Sequence, residues 1–277
     1  MDSNYALAYV GMAECYVYGV AGVSEEEGTR RGLAAINRAL ELKPDMGEAH
    51  AILGFLRWEH DWDFAGAEVE IRKGLELAPN YAPGHHWYSH FLMSAGRYDE
   101  AMVESKKLLE LDPVSSTPVG HLGFQYRVMR QWDLAIEQYK KALAMDPTQV
   151  DLHAELGEVY VGKHIYPQAI VELSRAVEMA RLGENYPHYL AMLGYARAQA
   201  GDIAGARKIL AQLPANDPVS LAYVYAGLGD RNKSIALLNE ASRKHNGYLL
   251  EDGYAVELDP LRSDPRFGDL LHRVGVR

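Results

Sequence analysis

Apolar residues recur along most of the chain at the three- and four-residue spacing of amphipathic helices, and the pattern itself repeats. Four segments share the phrase Leu-x-x-x-Pro: 40–44, 75–79, 109–113 and 143–147. The last three of these prolines, Pro79, Pro113 and Pro147, are evenly spaced, 34 residues apart. Proline lacks an amide hydrogen and cannot continue a helix, so each phrase predicts the end of one helix and the start of a new repeat.

Small residues keep the same step between these prolines. An alanine marks the second helix of successive repeats at Ala67, Ala101, Ala135 and Ala169. Leu-Gly pairs stand in the preceding helix at 53–54, 122–123, 156–157 and 193–194. Small side chains let two helices approach closely, so the spacing predicts antiparallel helix pairs packed through alanine and glycine.

We therefore predict an all-α fold, a right-handed superhelical solenoid of about seven antiparallel helix pairs with a C-terminal capping helix. The solenoid spans residues 1–245, with repeats at 5–46, 47–81, 82–115, 116–149, 150–186, 187–214 and 215–245. A capping segment follows at 246–277, in which Ser263 or Asp264 caps an amphipathic helix. In the stretched first repeat, Ser24 and Glu27 fit a capping box that restarts the helix.

These landmarks, with aromatic residues such as Tyr16, Tyr126 and Tyr160, resemble the tetratricopeptide repeat, in which aromatic, Leu-Gly, Tyr, Ala, Ala and Pro positions recur every 34 residues. The resemblance implies a non-catalytic scaffold for protein–protein interaction. It also implies that the first helix of each pair lines a concave groove. The residues that it places in this groove are Phe55, Trp58, His86, His90, Met93, Phe124, Arg127, Glu158, Tyr195 and Tyr223.

A largely aromatic groove suits an extended peptide or a helix of a partner protein. The alternative is that several of these side chains pack between neighbouring repeats. Chaperone adaptors of this repeat class grip a C-terminal carboxylate with lysine and asparagine, and no lysine falls at the predicted groove positions, so we expect no such clamp here.

Two longer stretches, 61–101 and 259–275, resemble the C-terminal repeat region of bacterial multidomain regulators, where a winged-helix, kinase or cyclase domain precedes the repeats. This resemblance implies the sensory or interaction arm of a regulatory protein. The first helical segment, 5–16, is apolar nearly all round, so we expect a preceding domain to cover it. A self-associating module that forms homo-oligomers through this N-terminal face is the alternative.

Charge and composition narrow the range of partners. The net charge of −10 is the wrong sign for a surface that neutralises phosphates, so we expect no nucleic acid to be bound by this chain itself. Neither an apolar run of about 20 residues nor a secretory signal is recognisable. We therefore expect a cytoplasmic protein that does not enter a membrane. Cys15 lies in an apolar helical run and is predicted to be buried.

The densest cluster of potentially reactive side chains is His85, His86 and His90, in which the last two stand four residues apart at metal-ligand spacing. Two ligands do not make a metal site, and no HExxH, CxxC, phosphate loop or GxSxG elbow accompanies them. We expect no enzyme activity, no cofactor and no metal. A metal-binding or enzyme-associated module around these histidines is the alternative. Asp61 and Asp63 are interpreted as turn and capping residues.

Overall fold

In a computed structural model, the described residues are 5–20, 23–181, 183, 185–244 and 255–275, and all their regular structure is helical. The helices are α1 Ala6–Val17, α2 Glu25–Leu42, α3 Gly47–Glu59, α4 Phe64–Leu77, α5 Ala82–Ser94, α6 Tyr98–Leu111, α7 Ser116–Val128, α8 Trp132–Met145, α9 Val150–Gly162, α10 Tyr166–Met179, α11 Tyr186–Gln199, α12 Ile203–Leu210, α13 Pro218–Gly227, α14 Arg231–Arg243, a 3₁₀ helix Val256–Leu261 and α15 Pro265–Val274. None of the helices in these ranges combines the length and apolarity needed to cross a bilayer.

The helices form consecutive pairs held by close contact at the small residues. A Cβ atom added to Gly54 in α3 would lie 2.5 Å from Cγ1 of Ile71 and 2.7 Å from the carbonyl oxygen of Ala67, both in α4. The corresponding Gly157 in α9 would meet Leu173 of α10 at 2.6 Å. The four alanines predicted at this contact are fully buried. Close contact at small residues thus holds the two helices of these pairs together.

A left-handed residue turns the chain between the two helices of a pair. Trp62, Gly96, Arg130 and His164 have φ of 54°, 73°, 57° and 59°, and each stands two places before the second helix of its pair. Three of the four are not glycine, although this conformation costs an ordinary residue about 1 kcal/mol. The repeat therefore has the same left-handed turn even where the residue at this position disfavours that conformation.

Several predicted helix starts agree with the structure. Ser24 accepts a hydrogen bond from the Glu27 amide at the start of α2, and Asp63 accepts one from the Gly66 amide at the start of α4. Asp264, the second of the two predicted candidates, caps α15. The prediction for Cys15 was wrong: its side chain is exposed, because it lies on the side of α1 away from the buried Val10 and Ala13.

One packing contact was not predicted from the sequence. In three repeats a histidine near the start of the first helix makes two hydrogen-bond contacts, which together we call a histidine staple. One is to a glutamate on the second helix, and the other is to the carbonyl of the proline that closes the previous repeat. His85 makes them with Glu104 at 2.5 Å and Pro79 at 2.9 Å. The equivalent triplets are His50, Glu70 and Pro44, and His153, Glu172 and Pro147. Each histidine thereby ties its own helix pair to the end of the preceding one.

The His85 staple should make stability depend on pH. Burial disfavours the charged ring, but the bonds to Glu104 and Pro79 outweigh that effect and raise the pKa of His85 above its usual 6.5. A raised histidine pKa means stabilisation that is complete below about pH 6.5 and is lost as pH rises through the folded value. His85→Gln should therefore lower the free energy of unfolding by about 1–2 kcal/mol at pH 6 and by less at pH 9.

Urea denaturation at both pH values measures this difference. His272→Gln is the matched control, because His272 is exposed in the last turn of α15, and its cost should be small at both pH values. An equal cost of His85→Gln at the two pH values would contradict the proposed staple.

The chain divides into two compact units, residues 1–112 and 113–277. The core of the first unit is rich in aromatic rings, with Phe55 and Trp87 stacked at 5.0 Å between ring centroids. The second unit ends with α15, whose Phe267, Leu270 and Val274 are buried. Helix α15 packs on α14, as expected of a cap. The predicted capping segment also includes 246–254 and 276–277, which lie outside the described residues.

Candidate functional site

The predicted groove residues of the first unit fall into a buried pair and a half-buried pair, with Met93 buried beside them. Phe55 and Trp58 are buried, and they contact Trp87 and Phe91 of the next helix pair. Both therefore pack between repeats, which is the alternative that the sequence left open. His86 and His90 are half-buried on one side of α5, with ring centroids 4.7 Å apart.

Of the three histidines in the metal-binding alternative, His85 already makes other contacts. Both ring nitrogens of His85 are engaged, by Glu104 and by the Pro79 carbonyl. A metal ion would have to displace one of these bonds. His86 and His90 stay a pair of potential ligands at helical spacing, with ring centroids 4.7 Å apart.

In the second unit two of the predicted residues lie against a buried arginine. Phe124, Arg127, Glu158, Tyr195 and Tyr223 are all buried. The Arg127 guanidinium is 5.0 Å from the ring centroid of Phe124 and 2.5 Å, through Nη1, from Oε1 of Glu158. The five side chains come from four successive first helices, α7, α9, α11 and α13.

Helix α9 supplies two carboxylates to the arginine. Arg127 Nε lies 2.8 Å from Oε2 of Glu155, which also accepts a hydrogen bond from the Tyr139 hydroxyl at 2.7 Å. Burial raises the pKa of Glu158, and the Arg127 charge opposes that rise only in part. Burial lowers the pKa of Arg127, but Glu155 and Glu158 outweigh this effect, so the pKa lies above its ordinary value and the arginine stays charged.

A segment from the C-terminal part of the chain covers this cluster. Residues 255–261, which we call the returning segment, include the 3₁₀ helix and pack against α9, α13 and α14. The backbone amide of Val256 donates to Oε1 of Glu158 at 3.1 Å, across 98 residues of sequence. Val256, Leu258 and Leu261 are almost completely buried.

An ion pair fixes the other end of the returning segment. Arg130 binds Asp259 with two hydrogen bonds, at 2.8 and 2.5 Å. Arg130 is the left-handed residue in the turn after α7, and its guanidinium also lies 5.5 Å from the ring centroid of Trp132. We call α9, α13 and this turn, where they meet the returning segment, the receiving face.

The sequence did not predict a role at the site for Arg130, Asp259 or the returning segment. Arg130 is in a turn and not at a predicted groove position, and nothing in a 34-residue period shows which surface a later segment will cover. One signal was present: the phrase Glu-Leu-Asp-Pro closes α6 at 110–113 and recurs at 257–260, within the returning segment.

Comparisons with known proteins agree with this architecture. Two family models for the tetratricopeptide repeat match residues 82–115 and 125–163. The type IV pilus assembly protein PilF of Pseudomonas aeruginosa is 26% identical over 161 residues, covering 56% of this chain and 62% of that protein. Anaphase-promoting complex subunit 3 of Schizosaccharomyces pombe is 21% identical over 150 residues, covering 54% of this chain and 22% of that protein. The chain thus spans less than two thirds of these relatives.

A solved structure extends the likeness over almost the full chain. The APC/C hetero-tetramer Cut9-Hcn1 superimposes with a TM-score of 0.67 at 19% identity, covering 98% of this chain and 48% of that one. An identity this low shows the fold alone, and it confirms the predicted all-α solenoid of helix pairs. The family matches show tetratricopeptide repeats at residues 82–115 and 125–163 of this solenoid.

Proposed function

We propose that this chain is a non-catalytic scaffold that binds a segment of a partner protein on the receiving face of its second unit. Tetratricopeptide-repeat proteins serve as protein-interaction scaffolds and are generally non-catalytic. The observation that carries the proposal is the returning segment, because a short stretch of polypeptide already lies on this face with its apolar side chains buried and its backbone bonded to Glu158.

The contacts are of the kind that recognise peptides. A hydrogen bond from a peptide amide to a fixed carboxylate depends little on the side chain of the bound residue, so it supplies affinity for many sequences. A bidentate arginine such as Arg130 selects a carboxylate at one position. Burial of two or three apolar side chains supplies most of the remaining free energy.

The resemblance to bacterial regulators suggests where such binding would act. We place this chain as the cytoplasmic sensory or interaction arm of a bacterial regulatory protein, with no nucleic acid bound by the repeats themselves. Its mechanism would be differential burial: a partner that binds the receiving face favours one arrangement of an attached domain over another.

Site-specific photo-crosslinking tests the proposal. A benzoylphenylalanine introduced at position 131, an exposed residue of the same turn that leaves Arg130 in place, should form adducts with partner proteins in an extract of the source cells. The same residue at position 175, on the exposed side of the second helix α10, is the control. The proposal predicts adducts from position 131 that are absent from position 175. Identical adducts from both positions, or none from position 131, would contradict it.

Self-association is a second candidate, supported by the first helix. Tyr5 and Leu7 are 52% and 48% exposed beside the apolar core of α1. Apolar side chains on an outer helix can pack against a second copy of the chain. Light scattering that shows no increase in mass with concentration would remove this candidate.

A further inference from the structure

We propose that the returning segment is an internal ligand, and that the receiving face takes in its place a partner segment of the same chemistry: short, with apolar and acidic side chains, one of which supplies a carboxylate for Arg130. This inference rests on the proposed function and names the class of partner. Bound partner and docked returning segment would exclude each other, so the chain would regulate access to its own binding face.

The returning segment has the amphipathic chemistry of a ligand. Val256, Leu258 and Leu261 are 2%, 1% and 0% exposed, so its apolar side chains are buried against the repeats. Glu257 is also completely buried, and its carboxylate interacts electrostatically with Arg127. Asp259 reaches the half-exposed Arg130 at the rim. The segment therefore presents apolar side chains together with two acidic ones.

The receiving face offers both polar contacts to any peptide of this type. Glu158 is held in place by Arg127, so its Oε1 stands ready for a backbone amide whatever residue carries that amide. Arg130 is held beside Trp132 and presents two parallel donors to a carboxylate. A partner needs a peptide amide and, three residues further on, an aspartate or glutamate.

The returning segment can leave without unfolding the cap that follows it. Helix α15 has its own attachment to α14, through the buried Phe267 and through hydrogen bonds from Arg266 to Asn232 at 2.9 Å and from Arg273 to Asn239 at 2.5 Å. Neither of these two hydrogen bonds involves residues 255–261, although the Asp264 amide at the start of α15 donates to the Leu261 carbonyl at 2.8 Å. Undocking therefore leaves both side-chain hydrogen bonds between α15 and α14 in place.

Covalent linkage makes the docked segment a strong competitor. A tethered ligand acts at an effective concentration on the order of millimolar, so a free peptide that binds the same face equally well is largely excluded. A natural partner overcomes this competition with a longer or better-fitting segment. A variant whose returning segment binds the receiving face less well should therefore bind a free peptide more tightly.

The test uses Leu258→Asp, which places a charge where a leucine is buried, in the otherwise intact chain. The probe is a fluorescent synthetic peptide of residues 255–262, with the same peptide carrying aspartate at the leucine position as the negative probe. We expect the unmodified peptide to bind the Leu258→Asp chain at least about tenfold more tightly than the wild-type chain. Fluorescence anisotropy measures both affinities.

Leu134→Asp is the matched control, because Leu134 on α8 is 42% exposed and lies outside the receiving face. It should bind the peptide as weakly as the wild type. Asp259→Arg is a second releasing variant at a half-exposed position, which places two cations opposite each other and preserves the apolar packing. It should raise the peptide affinity about threefold to tenfold.

Equal peptide affinity of wild type and both releasing variants would overturn the inference. So would equal binding of the two peptides to the Leu258→Asp chain. The crosslinking at position 131 reports separately: partner adducts with no gain in peptide affinity would reject only the internal ligand, whereas absent adducts with a clear gain would reject only the natural partner.

Discussion

Replacing Arg127 by alanine is expected to lower the free energy of unfolding of the second unit by about 3–5 kcal/mol. The arginine is buried and neutralises Glu155 and Glu158, which it contacts at 2.8 and 2.5 Å. Without it, two carboxylates remain close together in a poorly solvated site, and one must be protonated or exposed to water. Urea denaturation followed by far-UV circular dichroism measures the loss.

Arg130→Ala is the matched control for Arg127→Ala. The two arginines stand three residues apart and each binds a carboxylate, but the Arg130 side chain is 42% exposed. An exposed ion pair contributes about 0–1 kcal/mol, so this variant should be close to the wild type in stability. Adding Glu158→Gln to Arg127→Ala should recover part of the loss, because it removes one of the uncompensated charges. Similar losses for the two arginine variants would contradict the account of the buried cluster.

Gly54→Leu should destabilise the first unit by about 3 kcal/mol or more. The first side-chain carbon would already collide with the carbonyl oxygen of Ala67 and with Ile71, at 2.7 and 2.5 Å. The nearest of these atoms cannot all rotate away, because one belongs to the backbone of α4. The helix pair would have to separate to accept the larger residue. Thermal or urea denaturation measures the change.

Gly11→Leu is the control for the glycine contact. Gly11 is also inside a helix, α1, but an added Cβ atom there meets nothing within 4 Å. Since leucine is a better helix former than glycine, this change should be neutral or stabilising by up to about 1 kcal/mol. A loss at Gly54 no larger than the change at Gly11 would show that close helix contact does not decide the stability of the pair.

The sequence was sufficient for the helix pairs because their determinants are local and periodic. A proline after a helix prevents it from continuing, and a glycine facing the second helix, such as Gly54, Gly123 or Gly157, permits close contact within a pair. Helices α3, α5, α7 and α9 begin at Gly47, Ala82, Ser116 and Val150, the positions where repeats were predicted to begin. The His85 staple follows the same period, and a search for polar residues at that step would have found it.

The candidate site was harder to predict from the sequence because its contacts do not follow the repeat period. The period placed Arg127 and Glu158 on one side of the repeats, where they indeed meet. It did not reveal that this side is covered, since the Val256 amide comes from 98 residues beyond Glu158. Cys15 shows the opposite error. The apolar run in α1 predicted that this side chain is buried, but the outer helix is covered on one side only.

The central claim is that the receiving face binds polypeptide and is occupied by the chain's own returning segment. Hydrogen exchange of the wild-type chain, measured by mass spectrometry with and without a large excess of the 255–262 peptide, tests it most directly. The account predicts faster exchange in residues 255–261 of the chain when the peptide is present, with α9 and α13 equally protected in both samples. Unchanged exchange of residues 255–261 at a peptide concentration of several millimolar, about the effective concentration of the tethered segment, would contradict it.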